Sequence, residues 1–185
     1  SIGFRAPSLA EMLEGFGDDL IAATDSDCRF HDSAPAIPTY AGEIDLPSLQ
    51  SAFELVSNAF TKPASFANWF GCHVTRPKYP EFIQATARPL QQADLRVLLK
   101  SDRVIRRNAG SRFAFLDRAD GGEVTLFADG EVFSLSHQLF DLVVEICATS
   151  PLNNKIFSTE NMGIEGERIL LELMNQGSLV SEDST

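Results

Sequence analysis

Residues 123–135, EVTLFADGEVFSL, form two apolar-rich runs on either side of Asp129 and Gly130. An Asp-Gly pair suits the two-residue turn of a β-hairpin, because both residue types tolerate the positive φ angles that such a turn requires. The stretch therefore predicts two antiparallel strands joined at this pair.

Further strands and helices are predicted around the hairpin. Upstream, a short helix is expected over 93–100, and the segments RVIRRN (103–108) and RFAFLD (112–117) are strand-like. Downstream, Ser136 is the expected N-cap of a helix, and a last helix is expected from about Glu165 to Asn175, ended by Gly177. The helix that Ser136 is expected to cap carries an apolar stripe, which consists of Leu139, Leu142, Val143 and Ile146. Helix, strands, helix, helix in this order predicts an α+β fold with a small winged-helix-like domain over 91–185.

The N-terminal half carries three amphipathic helix patterns. Ser8 and Glu11 form a capping box ahead of the first helix, Asp45 is expected to cap the second, and Thr61 the third. Gly71, near the end of the third helix, either stops it or only weakens it. The apolar positions at helical spacing are Leu9, Met12, Leu13, Phe16 and Leu20, then Leu49, Phe53, Val56 and Phe60, then Phe66, Trp69 and Phe70. These patterns predict a helical region over 8–76.

Two short segments flank this helical region. Three prolines between 77 and 89 disfavour a long helix and predict a connector over 77–90. Residues 1–4 are a short apolar strand pattern that Ala6-Pro7 stops. Because a lone strand leaves its backbone groups unpaired, the chain is expected to be the tail of a larger protein.

Composition indicates a globular protein of one domain or two small ones. The chain has 185 residues, of which 44% are hydrophobic and 22% charged. No apolar run reaches the roughly 18 residues that a membrane span needs, and no signal-peptide pattern is present. Three widely spaced cysteines, Cys28, Cys72 and Cys147, predict reduced, buried thiols in a cytoplasmic protein.

Net charge is strongly negative but unevenly distributed. It is −11 overall, with −6 in residues 1–95, +5 in 96–118 and −10 in 119–185. This acidity repels nucleic-acid phosphate at long range, so nucleic acid is a disfavoured partner.

The basic stretch raises two alternatives for four of its arginines, Arg103, Arg106, Arg107 and Arg112. They are either an anion contact or an exposed strand face that pairs with nearby carboxylates. The second alternative is favoured because of the overall negative charge. Asp129 and Glu131 stand at the predicted hairpin tip, where a nucleic-acid-binding wing needs cations, and this counts against a DNA-binding winged helix.

No self-sufficient active site is recognisable. Neither Asp nor Glu stands two positions after any histidine, so the H-x-D or H-x-E pair of a two-histidine, one-carboxylate iron site is absent. His31 is expected in a solvated acidic loop, His73 after the third helix, and His137 at the surface of a first helical turn. Phosphate-binding, dinucleotide-binding and G-x-S-x-G motifs are absent as well.

The segments SIGFRAPSLAEMLEGFGDDL (1–20) and KPASFANWFG (62–71), with the strand–hairpin–helix pattern that follows, resemble the C-terminal portion of bacterial cupin-type ribosomal oxygenases. These JmjC-like, Fe(II)- and 2-oxoglutarate-dependent enzymes hydroxylate an arginine in a large-subunit ribosomal protein. The resemblance implies that 1–7 end the last strand of an upstream double-stranded β-helix (cupin) domain, that 45–71 are dimerisation helices, and that a winged helix follows. For the intact parent it implies Fe(II), 2-oxoglutarate, a homodimer and a basic ribosomal protein as substrate.

The resemblance also limits what this chain can do. The family's iron ligands and most of its 2-oxoglutarate pocket match no position here, so the chain alone is expected to hold no cofactor and to be inactive. The leading hypothesis is a non-catalytic region that supplies substrate-domain architecture and homodimerisation, the latter through Leu49, Phe53, Val56, Phe60 and Trp69.

An alternative from another class is a stand-alone winged-helix interaction or regulatory protein that binds nucleic acid through the four arginines. Salt-dependent duplex binding would favour it. The acidic surface either speeds encounter with a basic protein or serves solubility, and both interpretations stay open.

Overall fold

The computed structural model describes residues 6–25, 27–30, 40, 42–101, 103–118, 122–148, 151–152 and 159–182, without the side chains of 159–161. The strand predicted over 1–4 and the loop histidine His31 lie outside the described residues. The chain forms two compact units, unit 1 (Ser1–Phe70) and unit 2 (Gly71–Thr185). No helix in the described ranges is long and apolar enough to cross a membrane.

The described part of unit 1 is helical, and its first two helices begin where the sequence predicts. They are α1 (Leu9–Ala23), α2 (Leu46–Phe60) and α3 (Pro63–Thr75), which begins in unit 1 and ends in unit 2. The predicted capping box is confirmed, because Glu11 N–H donates to Ser8 Oγ at 3.2 Å and Ser8 N–H donates to Glu11 Oε2 at 2.6 Å. Asp45 caps α2 as predicted, accepting from Ser48 N–H at 2.9 Å.

Several predictions for the helical region are wrong. Thr61 does not cap α3 but ends α2, where its own N–H closes the last turn. Helix α3 begins at Pro63, whose fixed φ suits a first helical turn, and it continues through Gly71. His73 therefore lies inside α3 and not after it. Cys28 is exposed and not buried, because it lies in the loop that follows α1.

Four aromatic side chains hold unit 1 together. Phe16 is the buried residue of α1, and its ring centroid lies 5.9 Å from that of Phe60, 5.1 Å from Phe66 and 5.4 Å from Trp69. Helix α1 approaches α3 closely at Gly15, where an added Cβ would lie 3.0 Å from the Trp69 ring. These ring contacts join α1, α2 and the start of α3.

Unit 2 combines the end of α3 with helices and short strands. After α3 come a 3₁₀ turn (Pro80–Phe82), α4 (Gln92–Leu99), β1 (Val104–Arg107), β2 (Phe113–Arg118), β3 (Glu123–Ala128), β4 (Glu131–Ser136), a 3₁₀ turn (His137–Leu139), α5 (Phe140–Ala148), α6 (Thr159–Asn175) and β5 (Leu179–Glu182). Strands β2, β3 and β4 form one antiparallel sheet in that order, and β1 pairs antiparallel with β5. The predicted α+β class is confirmed.

The hairpin predicted at 123–135 is confirmed, but one of its side chains points elsewhere than expected. Strands β3 and β4 pair across Asp129 and Gly130, whose φ angles are 53° and 91°. Positive φ at both positions is what a two-residue hairpin turn requires. The Asp129 carboxylate is not an exposed tip charge. It accepts hydrogen bonds from Arg112 N–H at 2.7 Å and from the buried Ser178 hydroxyl at 2.5 Å.

The core of unit 2 draws on all three of its complete helices and on four strands. Its buried side chains include Leu95, Ile105, Leu126, Leu135, Ile146 and Leu173. The end of α3 lies against β3, where a Cβ added at Gly71 would overlap the Phe127 ring. Thr75 Oγ1 accepts from Gly130 N–H at 3.2 Å and donates to Gly71 O at 2.8 Å. Glycine is therefore required at the point where α3 meets the sheet.

The proline-rich connector is hydrogen-bonded to the rest of unit 2. Thr86 N–H donates to Asn175 O at 2.9 Å. The Asn175 side chain accepts from Leu90 N–H at 2.7 Å and donates to Leu90 O at 3.1 Å. Asn108 Nδ2 donates to Phe82 O at 3.1 Å. These bonds hold the connector to α6 and to the turn after β1.

Two features near the end of unit 2 were not predicted. Strand β5 pairs with β1, which lies far away in the sequence. Helix α6 begins at Thr159 but is broken at Gly163, whose φ of 57° and ψ of −169° are not helical. Beyond that break, α6 ends at Asn175 as predicted, and Gly177 follows with a φ of 87°.

Candidate interaction surface

The apolar stripe predicted on α2 is exposed to solvent. None of the 15 residues of α2 is buried, and Leu49, Phe53 and Val56 are 55%, 66% and 60% exposed. Because these three residues follow one another at spacings of four and three, they lie on one side of the helix. Together they are termed the α2 face.

Two apolar depressions border the α2 face. The first, of about 640 Å³, lies between the C-terminal parts of α1 and α2, where Leu20 and Ile21 line one side and Val56 and Phe60 the other. The second, of about 330 Å³, is lined by Phe30, Ile44, Asp45, Ser48, Leu49 and Ala52. The α2 face thus contributes one side chain to each depression, and its ridge and hollows can receive another apolar surface.

The two remaining residues of the predicted dimerisation set lie partly in the aromatic cluster. Phe60 packs on Phe16 and is still 42% exposed. Trp69 is half-buried, with ring centroids 5.4 Å from Phe66 and 6.3 Å from Phe70. The three residues of the α2 face form one open surface. Phe60 and Trp69 are instead partly packed among the aromatic rings and partly exposed to solvent.

The arginines of the basic stretch do not share one site. Arg106 and Arg107 are neighbours on β1, so their side chains point to opposite faces of the strand. Arg106 Nε lies 3.0 Å from Glu182 Oε2 in a half-exposed ion pair across β1 and β5. Arg107 Nη1 donates to Cys147 O at 2.9 Å and so holds the end of α5.

The other two of the four arginines, Arg103 and Arg112, lie outside β1. Arg103 is exposed just before β1. Arg112 is half-buried before β2, and its Nη1 donates to Arg76 O at 3.3 Å. Arg112 therefore lies beside the residues that follow α3.

The described residues do not fit an iron centre. Among them, no group of three His, Cys, Asp or Glu side chains could hold a metal ion. His137 Nε2 lies 3.2 Å from Asp117 Oδ1, and its ring stacks on Phe140 with centroids 5.0 Å apart. Burial raises the pKa of the Cys147 thiol to about 12, so this thiol is protonated at neutral pH.

Among the carboxylates that the structure describes, Glu167 of α6 is the most buried, and it was not singled out from the sequence. Arg96 donates to it from Nε at 2.9 Å and from Nη2 at 2.8 Å, and Gln92 Nε2 donates at 2.6 Å. The hydrogen bonds from Arg96, and then from Gln92, hold the pKa of Glu167 below its usual value. In the sequence Glu167 stands three positions before Leu170, which is buried. This helical spacing indicates that the Glu167 side chain also points inward. Because its oxygens are already occupied, Glu167 joins α4 to α6 and is no candidate for chemistry.

Comparison with known proteins gives matches over most of the chain. A family model described as the ROXA-like winged helix matches residues 54–180, which include the end of α2, all of α3 and nearly all of unit 2. A curated relative, ribosomal protein uL16 3-hydroxylase of Escherichia coli strain K12, is 27% identical over 140 residues, or 75% of this chain and 35% of the relative.

Solved structures show the same fold at low sequence identity. The X-ray structure of E. coli ycfD has a TM-score of 0.80 and 21% identity, covering 97% of this chain and 46% of that one. A structure described as YcfD, a ribosomal oxygenase from E. coli, in complex with cobalt and 2-oxoglutarate has a TM-score of 0.77 and 22% identity, covering 97% and 48%. The chain thus spans about a third of the curated relative and about half of these solved chains.

Proposed function

The chain belongs to the ROXA-like winged-helix family, and from this premise we propose that it is a non-catalytic region of a ribosomal oxygenase that joins two copies of the protein. In this proposal residues 8–76 are the dimerisation region, 77–90 a linker and 91–185 the winged-helix module. Leu49, Phe53, Val56, Phe60 and Trp69 contribute the contacts between copies.

The observation that carries the proposal is the exposure of the α2 face. Scattered exposed apolar residues are ordinary, but an apolar row beside two apolar depressions is typical of a surface that binds another protein. A second copy is a fitting occupant, since a two-fold axis lets one self-complementary surface pack on itself. Burying a Phe side chain in such an interface contributes about 1.5–3 kcal/mol.

The oxygenase activity is proposed for the protein as a whole. The curated relative is named as a hydroxylase of a ribosomal protein, and one solved relative is described in complex with cobalt and 2-oxoglutarate. We infer Fe(II) and 2-oxoglutarate as cofactors and a basic ribosomal protein as substrate, in the cytoplasm. The described residues contain no group of three side chains that could hold the iron, and no catalytic step is assigned to them.

Substitution on the α2 face tests the proposal. Phe53→Asp places a charge at the centre of the face and should convert a dimer to a monomer by light scattering. Val97→Asp is the matched control, because Val97 of α4 is 70% exposed but lies in unit 2, outside the proposed contact. The control should remain dimeric. A Phe53→Asp variant that stays dimeric contradicts the proposed interface.

A further inference from the structure

The connector carries two exposed aromatic rings in a fixed arrangement. Tyr79 and Phe82 are 49% and 65% exposed, and their ring centroids lie 5.9 Å apart at an interplanar angle of 69°. Phe82 belongs to the 3₁₀ turn, and its carbonyl accepts the hydrogen bond from Asn108. Gly110 packs beside the same residue, since its Cβ position lies 3.4 Å from Phe82 Cβ. The rings are therefore presented by backbone that is already held in place.

A lysine adjoins these rings, and two arginines lie at the start of the connector. Lys78 Nζ lies 5.3 Å from the centroid of the Tyr79 ring. Arg76 and Lys78 are exposed, and Arg112 reaches Arg76 through the bond from its Nη1 to the Arg76 carbonyl. Glu81, exposed in the same turn, adds one negative charge. Tyr79, Phe82, Arg76, Lys78 and Arg112 are together termed the connector surface.

The connector surface differs in charge from the rest of the molecule. It carries three cations, with the carboxylates of Glu81 and Asp129 beside them, in a chain whose net charge is −11. At physiological salt the Debye length is about 8 Å, so more distant carboxylates are largely screened from a ligand bound there. The surface thus attracts an anionic ligand at short range, although the whole molecule repels one at long range.

We propose that the connector surface binds single-stranded nucleic acid, with bases stacked on Tyr79 and Phe82 and phosphates beside Lys78, Arg76 and Arg112. Exposed rings beside cations are how proteins hold single strands without reading their sequence. An acidic peptide would engage the cations but bring no planar face to the rings. A duplex keeps its bases stacked inside and leaves the rings without a partner.

Fluorescence anisotropy of the full chain with a fluorescein-labelled 12-nucleotide RNA tests this proposal. Binding should be weak and salt-dependent. Three phosphate contacts predict a slope of log affinity against log salt of about −2. Replacing both rings (Tyr79→Leu with Phe82→Leu) keeps the surface apolar but removes its planar faces, and it should weaken binding at least tenfold. Lys78→Gln removes one of the three proposed phosphate contacts. It should therefore make the slope of log affinity against log salt shallower in proportion.

Control variants and probes distinguish stacking on the connector surface from attraction by charge alone. Arg103→Gln removes an exposed cation just before β1, outside the connector surface, and should leave the affinity for RNA unaltered. An abasic strand and a polyglutamate peptide of equal length carry charge without bases and should bind at least tenfold more weakly. Absence of RNA binding at low salt, equal binding of either baseless probe, or loss of binding only in Arg103→Gln would each overturn the proposal. The test is distinct from that of dimerisation, because it measures RNA binding and because none of the five residues proposed to contact a second copy belongs to the connector surface.

Discussion

The carboxylate of Asp129, in the turn between β3 and β4, accepts a 2.5 Å hydrogen bond from the hydroxyl of Ser178, the residue before β5. Its other oxygen accepts from Arg112 N–H just before β2 at 2.7 Å. One side chain therefore joins the hairpin turn to the starts of two strands that belong to different sheets.

Asp129→Ala should lower the free energy of unfolding by about 2–3 kcal/mol. The change removes both bonds, leaves the buried Ser178 hydroxyl without its acceptor, and places alanine at a φ of 53°. Asp129→Asn should cost about half as much, because asparagine tolerates this φ and keeps one acceptor oxygen. Urea unfolding measures both, and equal losses in the two variants would show that neither the retained oxygen nor the tolerance of this φ offsets the loss of the carboxylate.

Gly71→Ala should destabilise unit 2 by about 1–3 kcal/mol, because the new methyl group overlaps the Phe127 ring. Gly17→Ala is the matched control in α1, where no neighbouring atom lies within 4 Å of the new Cβ. There alanine should stabilise the helix by about 0.5–1 kcal/mol, as expected from helix propensity alone. The same sign of change at both sites, measured by urea unfolding, would contradict the close packing of α3 on β3.

Stability should fall in acid partly through Glu167. Its folded-state pKa is held below the ordinary 4.5 by Arg96 and Gln92, so its contribution is complete above that value and is lost as pH falls through the folded pKa. The thermal midpoint should therefore drop as the pH falls below about 4.5. Glu167→Gln should flatten that pH dependence. An unchanged slope in this variant would show that other carboxylates cause the loss of stability in acid.

The cysteines should differ in reactivity toward Ellman's reagent. Cys28 is exposed and should react first, whereas Cys147 should react slowly because burial raises its pKa to about 12. Cys28→Ser should abolish the fast phase and leave the slow ones. Loss of the fast phase in Cys147→Ser would instead show that α5 opens readily.

Local features of the fold were predictable because their determinants lie within a few residues. The caps at Ser8 and Asp45, and the turn at Asp129 and Gly130, depend on neighbouring backbone groups and preferred φ angles. The pairing of β1 with β5 is different in kind. Its partners are remote in sequence, and β5 is only four residues long, so no local pattern marks it.

The candidate surface was predictable in part. Helical spacing placed Leu49, Phe53 and Val56 on one side of α2, but spacing alone cannot distinguish a buried side from an open one. Trp69 is an example. Its apolar character predicted a contact between copies, but in the structure its ring packs on Phe16 and Phe66 within the same chain. The rings of Tyr79 and Phe82 were not predicted to form a surface because they stand in a connector, where no periodic pattern marks a shared face.

Sedimentation equilibrium of the unaltered chain over a wide concentration range tests most directly whether two copies associate through the α2 face. We expect a mass of twice 20.3 kDa at high concentration, falling toward 20.3 kDa on dilution, and we expect Phe53→Asp to shift that fall to higher concentrations. A mass that stays at 20.3 kDa at the highest concentration of the unaltered chain would contradict the proposed association.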